Sequence, residues 1–114
     1  MAANSSISAP ELALRTDQHS DEAVVYGTGR ITVATSSLLQ TTIRGLIPEC
    51  KRIQLDLTNV THIDSTGIGA MVSVYTSASR AKCDFKVVNA QPRIRDLFEI
   101  TKLRAIFEEA HASD

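Results

Sequence analysis

HIDSTGIGAMVSVY, residues 62 to 75, is the stretch on which the reading of this chain turns. It sets an acid (Asp64), two hydroxyls (Ser65 and Thr66) and two glycines (Gly67 and Gly69) directly ahead of an apolar run. Within that run Ile68, Met71, Val72 and Tyr75 recur at spacings of three, four and seven. This spacing predicts an amphipathic helix reaching about Ala81, with Ser73, Thr76 and Ser77 on its outer face. Upstream, RIQLDL (52–57) alternates as a strand with Ile53, Leu55 and Leu57 facing one way. The junction is therefore a passage from the end of a strand into the start of a helix, where sites gather in parallel α/β units. Its glycines permit a tight turn and a close backbone approach. A helix start also offers unpaired amides and partial positive charge, which favour an anion nearby. The hydroxyl of Ser65 is left with three roles: helix cap, nucleophile, or group that is itself modified.

The flanking sequence supplies the remaining elements. Before the junction, ELALRTD (11–17) and AVVYGTGRI (23–31) read as two strands separated by polar QHSDE, and they are expected to pair as an antiparallel hairpin. Thr35 is placed to cap a following helix with its hydroxyl. Leu39, Ile43 and Ile47, with Leu46 beside them, form that helix's apolar stripe, and Pro48 marks its end. After the junction, FKVV (85–88) is a short apolar strand. Pro92 suits the first turn of another helix that buries Ile94, Leu97 and Phe98. Leu103 to Phe107 is expected to add a last short strand. The order strand, strand, helix, strand, helix, strand, helix, strand implies an α/β domain with a mixed sheet and crossover helices.

Composition narrows the functional classes. At 114 residues the chain is sized for one packed domain. Net charge is −1, with 12 Lys and Arg against 13 Asp and Glu. That balance argues against direct nucleic-acid binding, which favours a clustered basic excess. No apolar run approaches the length of a membrane-spanning helix. The opening MAANSSISAP lacks a secretory pattern and reads as a disordered arm over residues 1–10, so a cytoplasmic location is expected. Cys50 and Cys83 form no CxxC pair, and His19, His62 and His111 are scattered, so no metal site emerges. Two buried thiols are the expected state of the cysteines, with a disulfide between them left open.

The enzymatic readings of the junction fail on pattern. A serine-hydrolase elbow reads GxSxG, whereas Ile63 stands two residues before Ser65. His62, Asp64 and Ser65 have the composition of a triad but are near-neighbours in the chain, and a working triad converges from separate parts of a fold. There is no GxxxxGK[ST] phosphate loop. No catalytic residue and no cofactor are expected. A phosphate on Ser65, by contrast, would bring about −1.5 to −2 charges to an amide-rich helix start, where the fold could tolerate it while the surface shown to a partner changed; the physics permits a switch without demanding one.

LDLTNVTHIDSTGIGAM (55–71), followed by VVNAQPRIRDLFEITKL (87–103), resembles the STAS domain family, which includes the anti-sigma factor antagonists and the cytosolic domains of sulfate transporters. The resemblance runs from about Leu12 to Phe107. It implies a STAS fold spanning 11–109, a mixed sheet of four to five strands with helices mainly on one face, and a short tail at 110–114. It also implies a partner-switching protein without enzymatic activity. Ser65 would be the phosphorylation site for an anti-sigma factor with serine kinase activity, and a serine phosphatase would reset it. ATP would belong to that kinase. Asp64 would border the contact surface, and Thr66 and Gly67 would shape its loop. Monomer or weak dimer is the expected assembly. The chain departs from the family pattern where many antagonists carry Gly-Glu-Leu-Asp: here stand Gly29, Arg30, Ile31 and Thr32, so Arg30 and Thr32 would present a changed contact to the partner. Lys82-Cys83-Asp84 replaces a usual glycine pair, and Lys102 stands where the family has glycine. The family offers an alternative role, as accessory subunit of a lipid-type ABC transporter gripping its ATPase through the same face.

Overall fold

The computed structural model describes residues 11 to 100. The expected arm at 1–10, the strand at Leu103–Phe107, the conformation of Lys102 and the tail lie outside the described residues. Within them, β1 (Leu12–His19), β2 (Glu22–Ile31), β3 (Arg52–Ile63) and β4 (Asp84–Val88) form one sheet in the order β1-β2-β3-β4. β1 pairs antiparallel with β2, while β2, β3 and β4 are mutually parallel. The parallel pairs require crossovers, supplied by α1 (Ser36–Leu46) and α2 (Ser65–Arg80); α3 (Pro92–Ile100) follows β4. This is the expected mixed α/β sheet.

Alternation builds the core. Ala23, Val25 and Ile31 of β2, Ile53, Leu55 and Leu57 of β3, and Phe85 and Val87 of β4 are buried in one cluster. Leu39 and Ile43 of α1, Met71 and Val74 of α2, and Ile94 and Phe98 of α3 close over it. Each such aliphatic or aromatic side chain contributes about 1.5–3 kcal/mol when fully buried. The opposite face of the sheet is only half-covered and mixed in character, with Val24, Tyr26, Gln54, Asp56 and Lys86 partly exposed. Arg15 of β1 stacks there on the Tyr26 ring at 4.3 Å.

Five local expectations are corrected. The buried stripe of α2 is Gly67, Ala70, Met71, Val74 and Ala78, while Ile68, Val72 and Tyr75 sit half-exposed on its shoulders. Small residues on the inner face let the helix lie close to the sheet. Ser73 is not on the outer face: it is half-buried and accepts a hydrogen bond from Arg44 of α1. β3 runs six residues past Leu57, because Val60 and Ile63 extend its buried side. The hairpin turn narrows to Ser20 and Asp21, since His19 pairs with Glu22.

Thr35 is the fifth. It is the residue preceding α1, but its side chain makes no cap to the helix amides. Its hydroxyl instead accepts from the Thr32 amide (2.9 Å) and donates to the Arg30 carbonyl (2.8 Å). It ties the loop that enters α1 back onto the end of β2.

Candidate functional site

β2 and β3 end side by side, with Ile31 opposite Ile63, and both chains turn toward helices at the same edge. The Asp64 amide donates to the Ile31 carbonyl across the gap (3.2 Å). Asp64 then holds two elements at once. Its Oδ1 accepts from the Gly67 amide (2.8 Å), capping α2. Its Oδ2 accepts from the Val33 amide (3.1 Å), fixing the loop between β2 and α1. An N-cap side chain ordinarily satisfies one orphan amide of its own helix; here the second oxygen also reaches a residue 31 positions away.

Gly67 explains why this packing admits no side chain. A Cβ at that position would lie 2.3 Å from the Ile31 carbonyl oxygen and 2.9 Å from Ile31 Cγ2. The first turn of α2 thus rests directly on the end of β2. Gly29, within β2, serves a related purpose. Its φ of +119° lies in the region glycine favours, and a Cβ there would lie 2.1 Å from the Glu11 carbonyl oxygen. A register irregularity follows between Gly29 and Arg30, just before the end of β2.

Ser65 and Thr66 stand on this frame at the first two positions of α2, both exposed. Their amides have no intrahelical acceptor, as at any helix start. Thr32 lies in the facing loop, half-buried, its hydroxyl accepting from the Ala34 amide (3.2 Å). Arg30 is exposed and pairs with His62 in the β2–β3 register. Asp64, Ser65, Thr66, Gly67 and Thr32 therefore meet at one corner, and Arg30 flanks it on the strand.

The structure adds one neighbour that sequence reading missed. Val33 is 71% exposed, the most exposed large hydrophobic among the described residues, and the Asp64 bond holds it against the junction. Leu38, in the first turn of α1, is 47% exposed. In sequence Val33 merely prolongs the alternation of Ile31, so nothing local distinguishes it from strand.

The polar groups of the corner are occupied structurally. His62 Nδ1 meets Thr61 Oγ1 at 3.0 Å, and both Asp64 oxygens are engaged by amides, so neither is aimed at Ser65 as a base. Nearby, on the half-covered face, Asp56 accepts from the Thr58 amide and from Asn89 Nδ2, each at 2.8 Å. Burial raises its pKa, but the bonds from Thr58 and Asn89 outweigh burial and hold it below the ordinary aspartate value. Among the described residues no three His, Cys, Asp or Glu side chains converge as a metal site. No helix among them is long and apolar enough to cross a membrane.

The chain is 26% identical over 97 residues to an anti-sigma-B factor antagonist of Bacillus subtilis, covering 85% of this chain and 89% of that protein. It is 36% identical over 56 residues to one of Listeria monocytogenes, a match spanning about half of each (49%). The crystal structure of an anti-sigma factor antagonist from Mycobacterium paratuberculosis superposes with a TM-score of 0.76 at 24% identity, over 89% of this chain and 87% of that one. The STAS domain family model matches residues 13–113, and the chain belongs to that family.

Proposed function

We propose that this protein is an anti-sigma factor antagonist, a regulatory binding protein switched by phosphorylation of Ser65. The observation that carries the reading is the exposed Ser65 hydroxyl on a junction clamped by Asp64 and Gly67, beside the exposed Val33. An acceptor of this kind must be reachable by another protein's active site while its backbone stays fixed, and the corner meets both needs. Unphosphorylated, the protein binds an anti-sigma factor with serine kinase activity, so that a sigma factor is released and transcription changes. That kinase supplies ATP and transfers phosphate to Ser65; a serine phosphatase in the cytoplasm reverses the step. Asp64, Thr66, Gly67, Arg30 and Thr32 frame the contact. The names of the Bacillus and Listeria relatives support this reading over a transporter-accessory role.

A phosphate adds three acceptor oxygens and nearly two negative charges where a partner's surface must otherwise approach. Binding is weakened by charge and bulk at the contact itself. The test is incubation of the purified protein with ATP and each histidine-kinase-like serine kinase of its own organism, followed by intact-mass spectrometry and peptide mapping. One phosphate on Ser65, absent from Ser65→Ala, is the expected result. A protein that stays unmodified and forms no complex with any of these kinases sinks the reading.

A further inference from the structure

Cys50 and Cys83 lie outside the switch corner, at the other end of the parallel strands. Cys50 follows the 3-10 turn at Ile47–Glu49 and comes two residues before β3. Cys83 immediately precedes β4, at the end of a capping motif in which the Lys82 amide donates to Ser79 (3.1 Å) and the Cys83 amide to Ala78 (2.8 Å). Both are free and both are buried.

Strand register brings them together. Arg52 pairs with Asp84, and the Asp84 amide donates to the Lys51 carbonyl (2.8 Å). Extending that register by one residue sets Cys83 across from Lys51, diagonal to Cys50. Lys51 is exposed at a bend just before β3, while Cys50 and Cys83 are both buried in the same core cluster. Exposure places the pair at the rim of the core: Cys50 is 6% and Cys83 4% exposed, whereas Leu55 and Val87 are fully enclosed.

We propose that Cys50 and Cys83 are an oxidisable pair, which a hydroperoxide converts to a disulfide tying the start of β3 to the start of β4. One thiol loses its proton, and its sulfur attacks a peroxide oxygen. The O–O bond breaks, hydroxide leaves, and a sulfenic acid remains. The second thiolate attacks that sulfur, the S–S bond forms, and the S–O bond breaks with departure of a second hydroxide. Both hydroxides take up the thiol protons. Two thiols and hydrogen peroxide thus give one disulfide and two waters, the sulfurs oxidised and the peroxide reduced.

Electrostatics sets the conditions. Burial raises the Cys50 thiol, with Glu49 and Asp21 adding to it; burial raises Cys83 as well, with Cys50 itself and Asp84 adding. The thiolate is scarce at neutral pH, so the reaction is slow there and accelerates with alkali. This chemistry is independent of the role given to Ser65.

The test exposes folded, reduced protein to hydrogen peroxide at mildly alkaline pH, then blocks remaining thiols and maps peptides without reduction. The expected product is an intramolecular Cys50–Cys83 link, with a raised thermal midpoint. Reduction with dithiothreitol should restore the original midpoint. Thiols that remain alkylatable, sulfinic or sulfonic products, links only between molecules, or a lowered midpoint would each overturn the proposal.

Discussion

Asp64 concentrates the logic of the corner in one side chain. One oxygen caps α2 through Gly67 and the other holds the Val33 amide, so its removal frees two amides in two different elements. Replacing a capping aspartate by alanine typically costs about 1 kcal/mol. With the second bond lost as well, Asp64→Ala should lower unfolding free energy by about 1–2 kcal/mol, read from urea titrations. Asp64→Asn, which also caps well, should retain most of that stability. Equal loss in both variants would show that something other than the cap is at stake. Asp56 carries a different signature. Burial opposes its ionised form, but the Thr58 and Asn89 bonds prevail and depress its folded pKa. A depressed carboxyl contributes stability above its unfolded pKa of about 3.9 and loses it as pH falls through the lower folded value. Wild-type urea midpoints should therefore drop as pH is lowered from about 4 toward 2. Asp56→Asn should flatten part of that decline, and identical slopes would refute the assignment.

α2 shows how position within one helix decides the sign of a substitution. Gly67 and Gly69 are two residues apart in the same first turns. A Cβ on Gly67 meets the Ile31 backbone at 2.3 Å, whereas one on Gly69 meets nothing within 4 Å. Gly67→Ala must push α2 off β2 and should destabilise by about 2 kcal/mol or more. Gly69→Ala should stabilise by about 0.5–1 kcal/mol, the usual helical difference between the two residues. Opposite shifts in thermal midpoint check both. At the other end, Lys82 adopts φ 61°, the left-handed conformation expected of the glycine that a helix ending of this kind ordinarily takes. Lys82→Gly should raise stability by about 1 kcal/mol, and a decrease would mean that the lysine makes compensating contacts. The same helix marks a limit of periodicity. Its spacing announced the helix and the buried Met71, with Ile68 and Tyr75 packed at the edge of the core, but Gly67, Ala70 and Ala78 of the inner face are too small to stand out as an apolar stripe. β3 was foreshortened for a related reason: Val60 and Ile63 are spaced by three, and the irregular β2–β3 register that accommodates them cannot be seen in one strand alone.

For the molecule as a whole, the junction was legible because its components are local. Asp64, Ser65, Thr66 and Gly67 are consecutive, and a strand and a helix flank them in plain periodicity. The other half of the corner was not legible. Val33 reaches Asp64 across 31 positions, and only the pairing of β2 with β3 brings them together. Arg30 and Thr32 were placed near the site by family likeness alone, and the fold sets Thr32 in the facing loop and Arg30 on the adjoining strand end. This arrangement bears on how a modification at Ser65 would act. The side chain is exposed at the helix start, outside the packed cluster formed by the sheet and helices. A phosphate there gains from the helix dipole, an effect of about 0.3–1 kcal/mol at an exposed site, and is opposed by the neighbouring Asp64 acid. These opposing terms leave the balance of folding nearly unchanged. Phosphorylated protein should therefore unfold within about 1 kcal/mol of the unmodified form. Its amide resonances should move only at the β2–α1 loop and the first turns of α2, while affinity for the proposed kinase partner falls. Shifts spreading through β4 and α3, or a large change in stability, would mean instead that phosphate remodels the fold. Confined shifts with lost affinity would locate the switch at the surface, on a frame that stays rigid because Asp64 and Gly67 fasten it to the sheet.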